Sequence, residues 1–158
     1  MTSPDQPVFI HLEIVHPDPD AGAQFMRETL GARDVEPRTA AYIEGMFPGM
    51  RLVHVMLGGV VFQFVKPTET LPAWKEQLER QGASVHNVTI AVPDLEDVTA
   101  KMIERGGTLL LDTDFDLTPA GFGHPPGMKG KVVAAREQTG LTFEMFATAV
   151  GWIPGEAP

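Results

Sequence analysis

Apolar and polar positions alternate through two similar passages of the chain. Val8, Ile10, Leu12 and Ile14 interleave with Phe9, His11, Glu13 and Val15, a period-two pattern that predicts a strand over residues 8–16. The chain leaves this strand through Pro17-Asp18 and enters "DAGAQFMRETLGA", a helical pattern with Asp20 as its expected N-cap and Gly31 as its stop. The second passage, "VHNVTIAVPD", predicts a strand over 84–92 that leaves through Pro93-Asp94. "LEDVTAKMIERGG" follows, with Leu95, Val98 and Met102 on one helical face before Gly106 and Gly107. Pro17 and Pro93 stand 76 residues apart, and so do Gly31 and Gly107.

Candidate strands follow at roughly 34–44, where the periodicity is weak, and at 51–57 and 60–66 in the first half, then at 108–113, 130–136 and 141–147 in the second. Each half reads as strand, helix, then three strands, so the expected fold class is α+β with two βαβββ modules. The boundaries are one domain over 1–158, with a first module at 8–67, a linking helix at 68–82, a second module at 83–148 and a tail at 149–158. The link "TLPAWKEQLERQG" carries Leu71, Trp74 and Leu78 on one stripe, which predicts a helix packed on the body.

Composition narrows the partners. Apolar content of 43% and charged content of 21% are those of an ordinary globular chain. Twelve basic against 21 acidic residues give a formal charge of -9 with no basic cluster, which argues against nucleic acid and anionic membranes. With no Cys there are no disulfides, thiolate metal sites or Cys nucleophile. "MTSPDQPVFI" does not read as a secretory leader, and no apolar run reaches membrane-span length, so the expected location is cytoplasmic.

Strand parity then sorts the polar residues. His11 and Glu13 share the face opposite Ile10, Leu12 and Ile14, an unexpected pair for a core unless that face lines a cavity. In the second passage the matching face carries Asn87, and His86 falls with Val88 and Ile90 on the helix-packing face; a bulge would turn it inward. Gln63 lies with Val61 and Val65, and Glu144 with Thr142 and Phe146. A carboxylate within such a strand requires a cation or a donor, with a metal, His11 or Lys131 as candidates for Glu144. His54 is bracketed by apolar residues in "RLVHVML", while Phe9, Met56, Phe62 and Phe64 are candidate apolar surface for a ligand. His16 reads as a solvated strand exit. His124, in "GFGHPPG", is a candidate lid residue or a surface His, and Trp152 is a candidate for docking the tail.

The paired modules, with "HLEIVHPDPD", "HNVTIAVPDLED" and the terminal "GLTFEMF", resemble the vicinal oxygen chelate (glyoxalase, bleomycin-resistance, dioxygenase) superfamily over about residues 8–148. The resemblance implies a glyoxalase-like fold. It also implies a divalent ion held from the first and last strands of each module, at His11, Gln63, Asn87 and Glu144. The pattern stands nearest to methylmalonyl-CoA epimerase, with Asn87 at a ligand His position and His54 at the place of that enzyme's proton-transferring Glu. The resemblance also implies a homodimer.

Two functional classes follow. The first is a metal-assisted epimerase, isomerase or lyase moving a proton next to a carbonyl, with His54 and Glu144 as catalytic groups. Mg²⁺, Mn²⁺, Co²⁺, Zn²⁺ or Fe²⁺ would be the ion, and an enolate the species it stabilises. An imidazole near its ordinary pKa of about 6.5 suits that transfer. The second is a metal-free member that binds a hydrophobic small molecule or uses His54 and Glu144 as an acid–base pair. An inward His86 would instead join His11 and Glu144 in a two-His-one-carboxylate set suited to Fe(II). Residues 38–50 and 114–130 show no phosphate-binding motif, so the sequence names no substrate beyond a carbonyl compound or an apolar ligand.

Overall fold

A computed structural model describes residues 6–115 and 128–147. The chain divides into two compact units, residues 11–86 and residues 1–10 with 87–158. The divisions fall inside β1 (Val8–Val15) and β5 (Ser84–Ala91).

In the first unit β1 leads through α1 (Pro19–Leu30), β2 (Arg33–Asp34) and α2 (Arg38–Met46) to β3 (Arg51–Leu57) and β4 (Val60–Lys66). The linking helix α3 (Pro72–Gln81) follows. The sheet runs β2-β3-β4-β1, with β1 parallel to β4 and the other neighbours antiparallel. The second unit repeats the plan: β5, α4 (Leu95–Glu104), β6 (Thr108–Phe115), β7 (Met128–Ala135), the short α5 (Arg136–Thr139) and β8 (Leu141–Phe146). Its sheet runs β5-β8-β7-β6, again with the first and last strands parallel.

Each Pro-Asp exit turns a strand into a helix by the same chemistry. Asp18 accepts from the Ala21 amide at 3.1 Å, and Asp94 from the Asp97 amide at 2.9 Å. Each satisfies one of the amides that a helix start leaves without a partner. The N-cap is thus Asp18 rather than the expected Asp20. Pro19 takes the first helical position, where its missing N–H costs nothing, and Asp20 moves into the first turn to pair with Arg51. Gly31 closes α1 at φ 72°, a left-handed conformation that a Cβ would strain.

The expected strand over 34–44 is corrected. Only Arg33 and Asp34 pair, with Met56 and Val55, and the chain then forms α2. Pro37 holds an extended backbone at the helix entrance, and Thr39, Ala40 and Ile43 bury one helical face. That spacing is helical, and no alternation supports a longer strand.

Ala23, Met26, Ala32, Val55 and Phe64 form the core beneath α1, with Ile14, Val53 and Phe62 against it. Phe62 and Phe64, expected as ligand-facing surface, therefore belong to the helix side of β4. Val92, Leu95, Val133 and Met145 form the matching core beneath α4. Among the described residues no helix is long and apolar enough to cross a membrane. His124, Trp152 and the tail lie outside the described residues.

Candidate functional site

Strand register in the first unit lines up three polar side chains. His54 on β3 stands opposite Gln63 on β4, and Gln63 stands beside Glu13 on β1. All three are buried on the face opposite Phe62 and Phe64. They are also bonded in series. His54 Nε2 lies 2.7 Å from Gln63 Oε1, and Gln63 Nε2 donates to Glu13 Oε2.

The other oxygen of Glu13, Oε1, accepts from the indole Nε1 of Trp74 on α3. A carboxylate left without donors in such a place would be strongly destabilising, and these two N–H groups offset its lost hydration. His86 stacks on Trp74, with ring centroids 4.2 Å apart and planes 17° from parallel. Its Nδ1 lies 3.7 Å from Glu13 Oε1, too long for a hydrogen bond.

The other imidazoles of the unit differ in state. Burial pushes His54 down to about 4, against a smaller upward effect of its bond to Gln63. That overturns the expectation of a pKa near 6.5: the ring is neutral at neutral pH and a weaker base than free imidazole. His11 is fully buried, and its ring meets His54 edge to face at 5.9 Å. Burial, then the neighbouring His54, holds it well below its ordinary value. His16 is spent locally: its Nδ1 accepts from the Asp18 amide at 3.0 Å, and its ring packs on Phe64.

His54 borders a cleft of about 450 Å³ under α2, whose walls include Ala40, Glu44, Arg51, Leu52 and Val53. Asp34 and Glu36 add two more carboxylates to the rim. Arg51 is the one cation among the described lining residues, and Asp20 holds its guanidinium through bonds of 2.9 and 2.7 Å.

The second unit offers a smaller polar group. Thr89 on β5 stands beside Glu144 on β8. Its Oγ1 lies 2.9 Å from Glu144 Oε2 and 3.0 Å from Asn87 Oδ1. One hydroxyl carries one proton, so it cannot donate to both oxygens at once. Either Glu144 carries a proton and donates to Thr89, or the Asn87 amide is turned to donate instead. Desolvation around the carboxylate pushes Glu144 up to about 7, partly opposed by Thr89, so both arrangements lie close to neutral pH.

Lys131, a candidate partner of Glu144, bonds Asp112 at 2.8 Å and Glu96 at 3.0 Å instead. It pairs across from Met145, on the opposite face of the sheet from Glu144. Val132 faces Glu144 in register as His54 faces Gln63, so the second unit has an apolar side chain where the first has its imidazole.

The four residues that the resemblance assigns to a metal fall two to a unit, His11 and Gln63 in one, Asn87 and Glu144 in the other. Neutral imidazole is the ligating form of His11, and a desolvated carboxylate such as Glu144 is the kind of group that a cation returns to its ionised form. The amide oxygens of Gln63 and Asn87 each face a hydrogen-bonding neighbour within their own unit. Taken singly, the imidazole of His11 and the carboxylate of Glu144 are strong donors for a divalent ion, and the amide oxygens of Gln63 and Asn87 are weaker ones.

Sequence reasoning placed Glu13 on His11's face as a residue that could reach the cavity or support the site but did not choose it, read Trp74 only as packing, and did not single out Thr89. Glu13 and Thr89 stand 76 residues apart, equivalent places in the repeat, and that equivalence was the available signal.

Two modules, each with its first and last strands side by side and parallel, define the vicinal oxygen chelate, or glyoxalase-like, fold. A methylmalonyl-CoA epimerase solved in complex with methylmalonyl-CoA and NH4+ is similar with a TM-score of 0.63 and 19% identity, over 95% of this chain and 100% of that one. The methylmalonyl-CoA epimerase from Mycobacterium tuberculosis gives 0.59 and 16%, covering 87% of this chain and 85% of that one. A hypothetical protein from Bacillus halodurans gives 0.62 and 14%, covering 89% and 93%. At these identities the likeness establishes the fold. No protein-family model and no curated protein matches the sequence.

Proposed function

We propose that the protein is an epimerase or isomerase of the vicinal oxygen chelate fold that moves a proton at the carbon next to a carbonyl of a small molecule. The observation that carries this reading is His54, whose buried imidazole is held by Gln63 and which is among the residues lining a cleft of about 450 Å³. The solved structures of like fold that act on methylmalonyl-CoA support the reaction class.

His54 takes the proton. Near pH 7 it is always in its base form, but burial makes it weaker than free imidazole by about 2.5 pH units, the distance from 6.5 down to about 4. That deficit corresponds to about 3 kcal/mol of driving force. Stabilisation of the developing oxyanion offsets it. His11, Gln63, Asn87 and Glu144 are the residues that would hold a divalent ion, and the ion when bound supplies Lewis-acid stabilisation of an enolate oxygen. Glu144, near its own midpoint at neutral pH, is a second proton carrier. The carboxylates Asp34, Glu36 and Glu44 around the cleft, with Arg51 committed to Asp20, favour an uncharged carbonyl end over an anionic one.

The test is deuterium exchange at the α-carbon, followed by proton NMR in D2O. The substrates are a panel of thioesters, ketones and α-hydroxy carbonyl compounds, with each divalent ion added in turn. Exchange that is lost in His54→Gln is expected. Exchange at the wild-type rate in that variant removes His54 from the reaction, and no exchange with any substrate or ion removes the proton-transfer reading.

A further inference from the structure

We propose that Glu13 is a positioning residue which, through Gln63, holds His54 in the tautomer protonated at Nε2 and leaves Nδ1 as the basic nitrogen. The inference deepens the reading above, because it says which atom of His54 receives the proton, but it rests on a hydrogen-bond series that exists without any substrate.

The argument follows the polarity of each group. Both carboxyl oxygens of Glu13 stand as acceptors in this series. Trp74 Nε1–H occupies Oε1 of Glu13, and Gln63 occupies Oε2. The group of Gln63 that faces Glu13 must therefore be its NH2, although amide oxygen and nitrogen are interchangeable by shape alone. That orientation turns Oε1 of Gln63 toward His54 Nε2, at 2.7 Å. An amide oxygen only accepts, so Nε2 must carry the proton. The lone pair of the neutral ring is then on Nδ1, which has no hydrogen-bond partner among the described residues, and His54 is one of the residues that line the cleft.

Reversing any one group reverses the series. If Glu13 donated instead of accepting, Gln63 would present NH2 to Nε2, and Nδ1 would carry the proton and lose its capacity as a base. Parallel pairing of β1 with β4 and antiparallel pairing of β4 with β3 bring the three residues into one row, so backbone register holds the series in place.

The experiment is long-range ¹H–¹⁵N correlation of the histidine rings in metal-free, ¹⁵N-labelled protein at neutral pH, with His54 assigned by comparison with His54→Gln. Wild type should show a pyrrole-type Nε2 and a pyridine-type Nδ1 at His54. Glu13→Gln removes the acceptor-only partner, and Gln63→Met removes the relay at nearly constant volume. Each should move His54 toward the Nδ1–H form or an averaged pattern, and lower the α-proton exchange rate by about 10-fold or more. Trp74→Phe keeps the contact between Glu13 and Gln63 and should leave the tautomer unchanged.

Should Glu13→Gln fail to fold, Gln63→Met carries the test alone. A pyrrole-type Nδ1 in wild type, or a wild-type pattern retained in both variants, overturns the proposal. Tautomer changes in a protein that exchanges no proton would leave the positioning role standing and remove the functional reading, so the two fail separately.

Discussion

Lowering the pH should unfold this protein earlier than its exposed carboxylates alone would, because His54 is buried in its neutral form. In the unfolded chain this imidazole takes up a proton around pH 6.5, whereas in the folded protein it does so at about 4. Between those values the unfolded state binds more protons, so stability rises with pH there and is lost as pH falls from 6.5 toward 4. The gap of about 2.5 pH units, at about 1.4 kcal/mol each, makes the His54 contribution about 3 kcal/mol. Below pH 4 both states are protonated and the contribution stops growing. For a domain whose total stability is of the order of 5–15 kcal/mol, that loss is large. His11 acts in the same direction, so wild type alone does not isolate His54. The assay is urea denaturation of metal-free protein at half-unit steps from pH 7.5 to 4, in wild type and His54→Gln, where Gln keeps a donor within reach of Gln63. The variant should lose about 3 kcal/mol less than wild type across this range. Parallel stability curves for the two proteins would show that His54 protonates freely in the folded state and would refute the burial argument.

Three further outcomes follow from particular contacts. Trp74→Phe removes the indole donor from the buried carboxylate of Glu13 and should cost about 1.5–3 kcal/mol in urea denaturation, whereas an unchanged midpoint would mean that the bond to Glu13 does not hold. Thr89→Val removes the hydroxyl that opposes the upward push on Glu144. Its carboxyl, followed by ¹³C NMR in metal-free protein, should titrate above the wild-type midpoint of about 7, and a lower midpoint would refute that assignment. Elemental analysis after loading with each divalent ion should find near-stoichiometric metal in wild type and little in His11→Ala or Glu144→Ala; equal loading in all three would remove these residues as ligands.

The two modules were legible because the signals that make them are local. Alternation along β1 and β5, the Pro-Asp exits that became N-caps, and the glycine stops each depend on residues within a few positions of one another. Parity also put Phe62 and Phe64 opposite Gln63, although what covered them was not visible until α1 was seen to lie on that side. The segment after Asp34 was misread because weak periodicity leaves a short strand and a short helix nearly equal in local preference. Burial of Thr39, Ala40 and Ile43 decided for the helix.

The sequence by itself determined which residue types stand on which side of each strand, including His11 and Glu13 on one face and His54, Gln63 and Glu144 within apolar strands. Tertiary structure alone decided which of them meet. Parallel pairing of strands about fifty residues apart set Glu13 beside Gln63, and the fold of α3 brought Trp74 onto the same carboxylate. The same pairing in the other unit gave Glu144 a threonine rather than a lysine. Hydrogen-bond polarity and desolvation depend on those neighbours, so the protonation state of His54 and Glu144 is a property of register and burial that no local pattern carries.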